Sequence, residues 1–290
     1  MNEPNLMILA AGMSSRMKQA ATVHLDPSLH HEADRKTKSM IGVGAQGRPF
    51  LDYLLYNARA AGYRDIVLVV GEQNEAVRRH FGPLDRGNPY HGLTISYAVQ
   101  RIPAGRTKPL GTADAVLQGV LSRPDWADQQ FTVCNSDNLY SVNAMTMLLR
   151  EDSPCSLIDY DRSALLFPPE RTEAFAVLHK DQHGSLLNII EKPSADDIRT
   201  CSDGNGRVGV SMNIWRFQTS FIRPALEEIP IHPVRNEKEL PVAVALMIAR
   251  HPGSVAALPL AEHVPDLTMR DDIMTVRAYL DEHFGAFSWS

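Results

Sequence analysis

Residues 9–18 read Leu-Ala-Ala-Gly-Met-Ser-Ser-Arg-Met-Lys and follow a short apolar run, so small residues and basic groups meet where a strand passes into a loop. Ala10, Ala11, Gly12, Ser14 and Ser15 let backbone N–H groups approach an anion closely, and Arg16 can offer phosphate oxygens a planar fork of donors. An ordinary βα turn with surface Arg16 and Lys18 has the same composition. A second constellation is Asn135-Ser136-Asp137-Asn138, which closes the apolar run Phe131–Asn135. Asp137 is thereby expected at the carboxyl end of a buried strand, where open α/β sheets place ligands, and a hard carboxylate there suits Mg2+. The same four residues are also good turn chemistry. Gln100 ends a further strand candidate, and its amide could make a two-way contact with a pyrimidine edge.

Positioning such groups requires a regular scaffold. Short β-branched runs alternate with amphipathic segments, which predicts an α/β fold: a three-layer α/β/α sandwich with a mixed, mostly parallel Rossmann-like sheet. Strands are expected at 6–10, 66–70, 93–100, 131–135, 156–160, 175–179, 187–191 and 208–217, with 93–100 and 175–191 antiparallel or at an edge because they alternate polar and apolar residues. Helices are expected at 50–61, 72–81, 112–121, 143–150, 221–229, 237–249 and 271–284. Gly62 is placed to stop the first of these, and Thr112 to cap the third. Residues 19–37 carry His24, His30 and His31 in a long irregular stretch, read as solvated loop histidines in a lid or a mobile insertion.

Composition narrows the function. The 290 residues are 44% hydrophobic with a net charge of −5, which gives no basic surface for nucleic acid or an anionic membrane. Three widely spaced cysteines form neither a C-x-x-C pair nor a disulfide framework, and the N-terminus lacks the basic and apolar regions of a leader, so the expected location is cytoplasmic. The first turn also lacks the Gly-x-Gly-x-x-Gly fingerprint of a dinucleotide oxidoreductase.

The order of motifs carries more than any one of them. After residues 9–18 come Lys38, Gly42-Val43-Gly44-Ala45-Gln46-Gly47-Arg48-Pro49-Phe50-Leu51, Gln100, Pro109-Leu110-Gly111-Thr112-Ala113-Asp114-Ala115, Asn135–Asn138, Glu191-Lys192-Pro193, Val210–Trp215 with Asn213, and Pro265–Asp272 with Asp266. This succession resembles the sugar-1-phosphate nucleotidyltransferase family, along nearly the whole chain. The resemblance implies one nucleotidyltransferase domain over residues 1–290, with a nucleotide-binding half to about 140 and a sugar-phosphate-binding half after it. It implies transfer of a nucleoside monophosphate from a nucleoside triphosphate, UTP or dTTP favoured, to a sugar 1-phosphate, releasing pyrophosphate.

Two anions must then be held in line while their repulsion is cancelled, and no covalent nucleophile is needed. The resemblance implies Arg16 and Lys38 as catalytic cations. It places Ala10, Ala11, Gly12, Gln100, Gly111 and Thr112 on the nucleotide, Glu191, Lys192 and Asn213 on the sugar phosphate, and Asp137 with Asp266 on Mg2+. Departures remain: Ala10–Met17 also fits the branch that transfers cytidylyl or guanylyl groups to alditol phosphates or cofactors, Asp114 stands where a small residue is common, and Val264 and Thr268 replace the family's usual neighbours of Asp266. A non-catalytic nucleotide- or sugar-phosphate-binding regulator is a further alternative. The aromatic C-terminal tail, Phe284–Ser290, suits either contact between identical subunits or docking on its own domain.

Overall fold

The computed structural model of the chain describes residues 3–12, 16–19 and 26–289. Ser14, Ser15 and His24 lie outside them. Among these residues ten strands form one sheet: β1 Asn5–Leu9, β2 Asp65–Val70, β3 Asn88–Tyr90, β4 Leu93–Val99, β5 Gln130–Asn135, β6 Cys155–Asp161, β7 Val177–Lys180, β8 Leu186–Ile190, β9 Gly209–Gln218 and β10 Val255–Leu260. The main path runs β10-β6-β9-β5-β1-β2-β4-β3, with β7 and β8 branching from β9. Parallel pairing joins β5, β1, β2 and β4, and also β6 with β10. β9 runs antiparallel between β5 and β6, so those two still end at one edge.

The helices are α1 Pro27–Arg35, α2 Phe50–Ala61, α3 Glu75–Phe81, α4 Thr112–Ser122, α5 Val142–Arg150, α6 Pro169–Thr172, α7 Ala195–Cys201, α8 Thr219–Glu228, α9 Leu240–Arg250 and α10 Asp272–His283. Side chains alternate across each central strand, which divides the apolar interior in two. Leu6 and Ile8 of β1 face a core shared with α2, α3, α5 and α10, whereas Met7 faces one shared with α4, α8 and α9. This is the expected three-layer α/β arrangement.

Several sequence expectations need correction. The irregular stretch at 19–37 contains α1, capped by the Asp26 side chain, which accepts from Ser28 N at 2.8 Å. Its His30 is not merely solvated: Nδ1 lies 3.1 Å from Arg270. β3 and β10 had no counterpart among the expected strands; the first is three residues long, and the second contains Pro259. β4 is antiparallel only to β3 and pairs parallel with β2. Thr112 does not cap α4, because Gly111 holds that place at φ +106 and the Thr112 hydroxyl accepts from Leu240 N at 3.0 Å. Gly62 does end α2, at φ +113. The C-terminal tail docks on its own chain, with Phe287 4.9 Å from Tyr53 and Trp289 stacked on His91 at 4.5 Å between centroids. No helix among the described residues is long and apolar enough to cross a membrane.

Candidate active site

Three loops leave the carboxyl edge of the sheet side by side because the ladder continues one residue past each strand. Ser136 N donates to Leu9 O (3.2 Å), Ala10 N to Val69 O (2.7 Å) and Gln100 N to Val70 O (2.8 Å). The loops after β5, β1 and β4 are thus held in register. Between them opens a cavity of about 560 Å3 that takes in Ala10, Ala11, Gly12, Lys38, Gln100, Gly111, Thr112 and Asp137. A Cβ on Gly12 would meet nothing within 4 Å among the described residues. Gly111 is there for the opposite reason: its φ is +106, and a Cβ would come within 2.7 Å of Lys238 O.

Lys38 and Asp137 form an ion pair on the cavity wall, each side chain mostly buried. Thr37 and Ser39 flank Lys38, and both hydroxyls are buried without a hydrogen-bond partner among the described residues. Such groups are costly to leave unpaired, and they point to a polar ligand. Gln100 is 3% exposed, and its Nε2 donates to Gly111 O at 2.8 Å and to Asp114 Oδ2 at 2.7 Å. The two-way contact read from its amide is therefore not available to a base, since the donor side is engaged by the protein.

Asp266 comes to Asp137 through a short bridge between the loops. Leu139 N donates to Pro265 O (2.9 Å) and Leu267 N to Asp137 O (2.8 Å). Thr268 Oγ1 lies 2.5 Å from Asp266 Oδ1 and 3.4 Å from Asp137 Oδ2, linking the two carboxylates. Burial, and then the Asp137 charge, hold the Asp266 carboxyl above the ordinary carboxylate range. Asp272 sits at the start of α10, where its Oδ2 accepts from Thr268 N (2.9 Å) and Met269 N (2.6 Å). Arg270 of the same turn is buried and donates from Nε to Met17 O at 3.0 Å, so the acidic turn is tied to the first loop.

The remaining expected residues lie apart from this cluster. Asn213 is exposed, with φ +58, at an irregularity of β9: Leu157 pairs with Trp215, but Asp159 pairs with Ser211. The buried Tyr140 hydroxyl donates to Met212 O (2.7 Å) and Asn213 O (3.2 Å), holding the bulge. Asn213 borders a cavity of about 70 Å3 that shares Leu9, Thr112 and Asn135 with the larger one. Glu191 and Lys192 follow β8, exposed, with Lys192 at φ +50, and neither lines the large cavity. Arg16 is exposed in the 16–19 turn and is also outside that lining.

Two basic residues had not been singled out. Lys108 lines the cavity and pairs with Glu237 at 2.6 Å; its position directly before Pro109–Ala115 was the available signal. Arg171 in α6 bridges Asp266 and Asp272, 2.7 Å from each. No motif marks it in the sequence.

A family profile described as nucleotidyl transferase matches residues 33–250. The chain belongs to the nucleotidyl transferase family. Among its relatives is a glucose-1-phosphate adenylyltransferase of Agrobacterium fabrum, 25% identical over 254 residues, covering 86% of this chain and 56% of that protein. Another, from Jannaschia sp., is 26% identical over 226 residues, covering 76% of this chain and 49% of that protein. The chain thus spans about half the length of the curated relatives it matches. The family is the one to which the motif order pointed.

Proposed function

We propose that this chain transfers a nucleoside monophosphate from a nucleoside triphosphate to a sugar 1-phosphate and releases pyrophosphate. The observation that carries the reading is the convergence of Lys38, Asp137 and Asp266 beside the cavity formed by Ala10–Gly12, Gln100 and Gly111. The adenylyltransferase relatives support ATP and glucose 1-phosphate as the first pair to test, in place of UTP or dTTP.

The division of labour follows from charge and position. Backbone groups of Ala10–Gly12 face the triphosphate, with Arg16 available to its departing end. Lys38 neutralises the α-phosphate and the attacking sugar phosphate, lowering the repulsion between two anions. Thr37 and Ser39 offer their unpartnered hydroxyls to phosphate oxygens. Glu191 and Asn213 read sugar hydroxyls, and Lys192 pairs with the sugar phosphate.

Asp137 and Asp266 fit a magnesium ion. They are two hard oxygen donors joined through Thr268, and burial and then the Asp137 charge hold the Asp266 carboxyl above its ordinary range against the opposing charge of Arg171, a cost that a bound dication would lower. Magnesium commonly takes one or two carboxylates and completes its shell with substrate phosphates and water. When bound, the ion would supply Lewis-acid stabilisation of phosphate charge.

The deciding experiment measures pyrophosphate release with ATP, CTP, GTP, UTP and dTTP crossed against hexose 1-phosphates and alditol phosphates. Release that depends on a hexose 1-phosphate and on magnesium is expected. Release only with an alditol phosphate, or nucleotide binding without any turnover, would overturn the reading.

A further inference from the structure

Asp266 gives its two oxygens to different neighbours. Oδ1 lies 2.5 Å from Thr268 Oγ1, which lies 3.4 Å from Asp137 Oδ2, so this oxygen is linked to the other acidic residue. Oδ2 forms an ion pair with Arg171 Nη2 at 2.7 Å. Arg171 is itself anchored: Nη1 donates to Asp272 Oδ1 at 2.7 Å, and the guanidinium lies over the Phe167 ring, 4.5 Å from its centroid. Asp272 accepts from Thr268 N and Met269 N with its other oxygen, so one guanidinium grips both ends of the turn that carries Asp266. All three side chains are less than one-fifth exposed, and water screens their contacts little.

We infer that Arg171 is a positioning residue for the divalent cation: by holding Oδ2 it leaves Oδ1 as the oxygen that Asp266 shares with Asp137, and it makes cation affinity depend on the loop between β6 and β7. A carboxylate without a second partner can rotate and offer either oxygen, whereas one oxygen pinned from outside the coordination sphere sets the other. The positive charge of Arg171 opposes a dication, but it is already shared with Asp272, whose carboxylate offsets it. Coupling between two sites is reciprocal, so a bound cation must in return fasten residues 162–175, the segment that carries Arg171. This inference rests on the reading of Asp137 and Asp266 as metal ligands.

Manganese is the probe, because its binding to the full chain can be followed by electron paramagnetic resonance without nucleotide or turnover. Arg171→Met, which keeps an unbranched stem against Phe167 and loses the charge, should weaken Mn2+ binding by about 10–100-fold, the scale on which the outer partners of metal ligands act. Arg171→Gln, whose amide cannot bridge two carboxylates, should fall in the same direction and stands in if the methionine variant fails to fold. Arg171→Lys, which keeps the charge without the planar fork, should recover part of the loss. In hydrogen exchange, Mn2+ should raise the protection of residues 162–175 in the wild-type chain and leave it unchanged in Arg171→Met, a response that a merely structural role would not produce. Equal or tighter Mn2+ binding by either folded uncharged variant would overturn the inference, as would a wild-type loop whose protection ignores Mn2+. Pyrophosphate release tests the reading beneath it separately. Magnesium-dependent release by a chain that binds no Mn2+ on its own would overturn the inference and leave the transferase reading standing. Arg171-dependent Mn2+ binding with no release from any substrate pair would retain the inference and remove that reading.

Discussion

The two sides of the candidate site are built differently. On the side proposed for the nucleotide, Gln100, Lys38 and Asp137 are buried or nearly so, with Gln100 bonded to Gly111 O and Asp114 and Lys38 paired with Asp137. On the side proposed for the sugar phosphate, Glu191, Lys192 and Asn213 are exposed, and two of the three have positive φ. Non-glycine residues in that region cost conformational energy and persist where their surroundings require them. The nucleotide side is thus preformed. The side proposed for the sugar phosphate keeps its polar groups in solvent on shaped backbone.

The contrast is broken most severely at the carboxylates shared by both sides. Asp137→Ala would remove a proposed magnesium ligand and the ion pair that this carboxylate makes with Lys38. Turnover should fall by about 10²–10³-fold or more, the scale of losing one strong electrostatic contact to the transition state, with the circular dichroism spectrum unchanged. Near wild-type, magnesium-dependent release of pyrophosphate would sink the role given to this residue.

Gly111→Ala tests preformation directly. A Cβ would have to fit 2.7 Å from Lys238 O at a φ of +106, between α4 and the start of α9. Neither backbone can yield easily, because Ala113 N donates to Lys238 O at 3.0 Å and Leu240 N to Thr112 Oγ1 at 3.0 Å. The strain should lower unfolding free energy by about 2–3 kcal/mol in urea titrations. A variant as stable as the parent would show that this corner is softer than its hydrogen bonds imply.

Lys192→Ala probes the other side, where effects should be milder. Loss of one exposed cation should raise KM for the sugar phosphate by about 10-fold, about 1.4 kcal/mol, while KM for the triphosphate and unfolding free energy stay the same. An unchanged KM for the sugar phosphate would remove Lys192 from the site.

This difference also explains what could be read before the fold was known. The central strands, α2 and the family motifs were legible because they depend on local periodicity and on short runs of small or acidic residues. Asp137 was legible for the same reason, as a polar residue closing a buried strand. Arg171 was not, because its meeting with Asp266 spans 95 positions and depends on how the loop after β6 folds back. The state of Gln100 was equally hidden: its side chain suggested a two-way contact, but a backbone carbonyl and a carboxylate take up the donor side. Residue types near a site could be named from the sequence, whereas the partners that leave them free or engaged could not.

Acid should separate the two sides gently. His263 is held neutral, its pKa lowered from 6.5 to about 4 by burial and then by the charge of Arg171. Its Nδ1 accepts from Leu166 N at 3.1 Å, and its ring meets Phe167, so the neutral form fastens the loop that carries Arg171 to Asp266. Between these two pKa values the unfolded chain binds a proton that the folded chain excludes. The contribution is therefore complete above pH 6.5 and is lost as pH falls towards 4. After allowance for partial solvent contact, it amounts to about 1 kcal/mol. Hydrogen exchange between pH 7 and 5 should show residues 162–175 losing protection before residues 98–115 do, and His263→Gln should flatten that dependence. Equal loss of protection in both segments would mean that His263 does not set the acid sensitivity of the loop that carries Arg171.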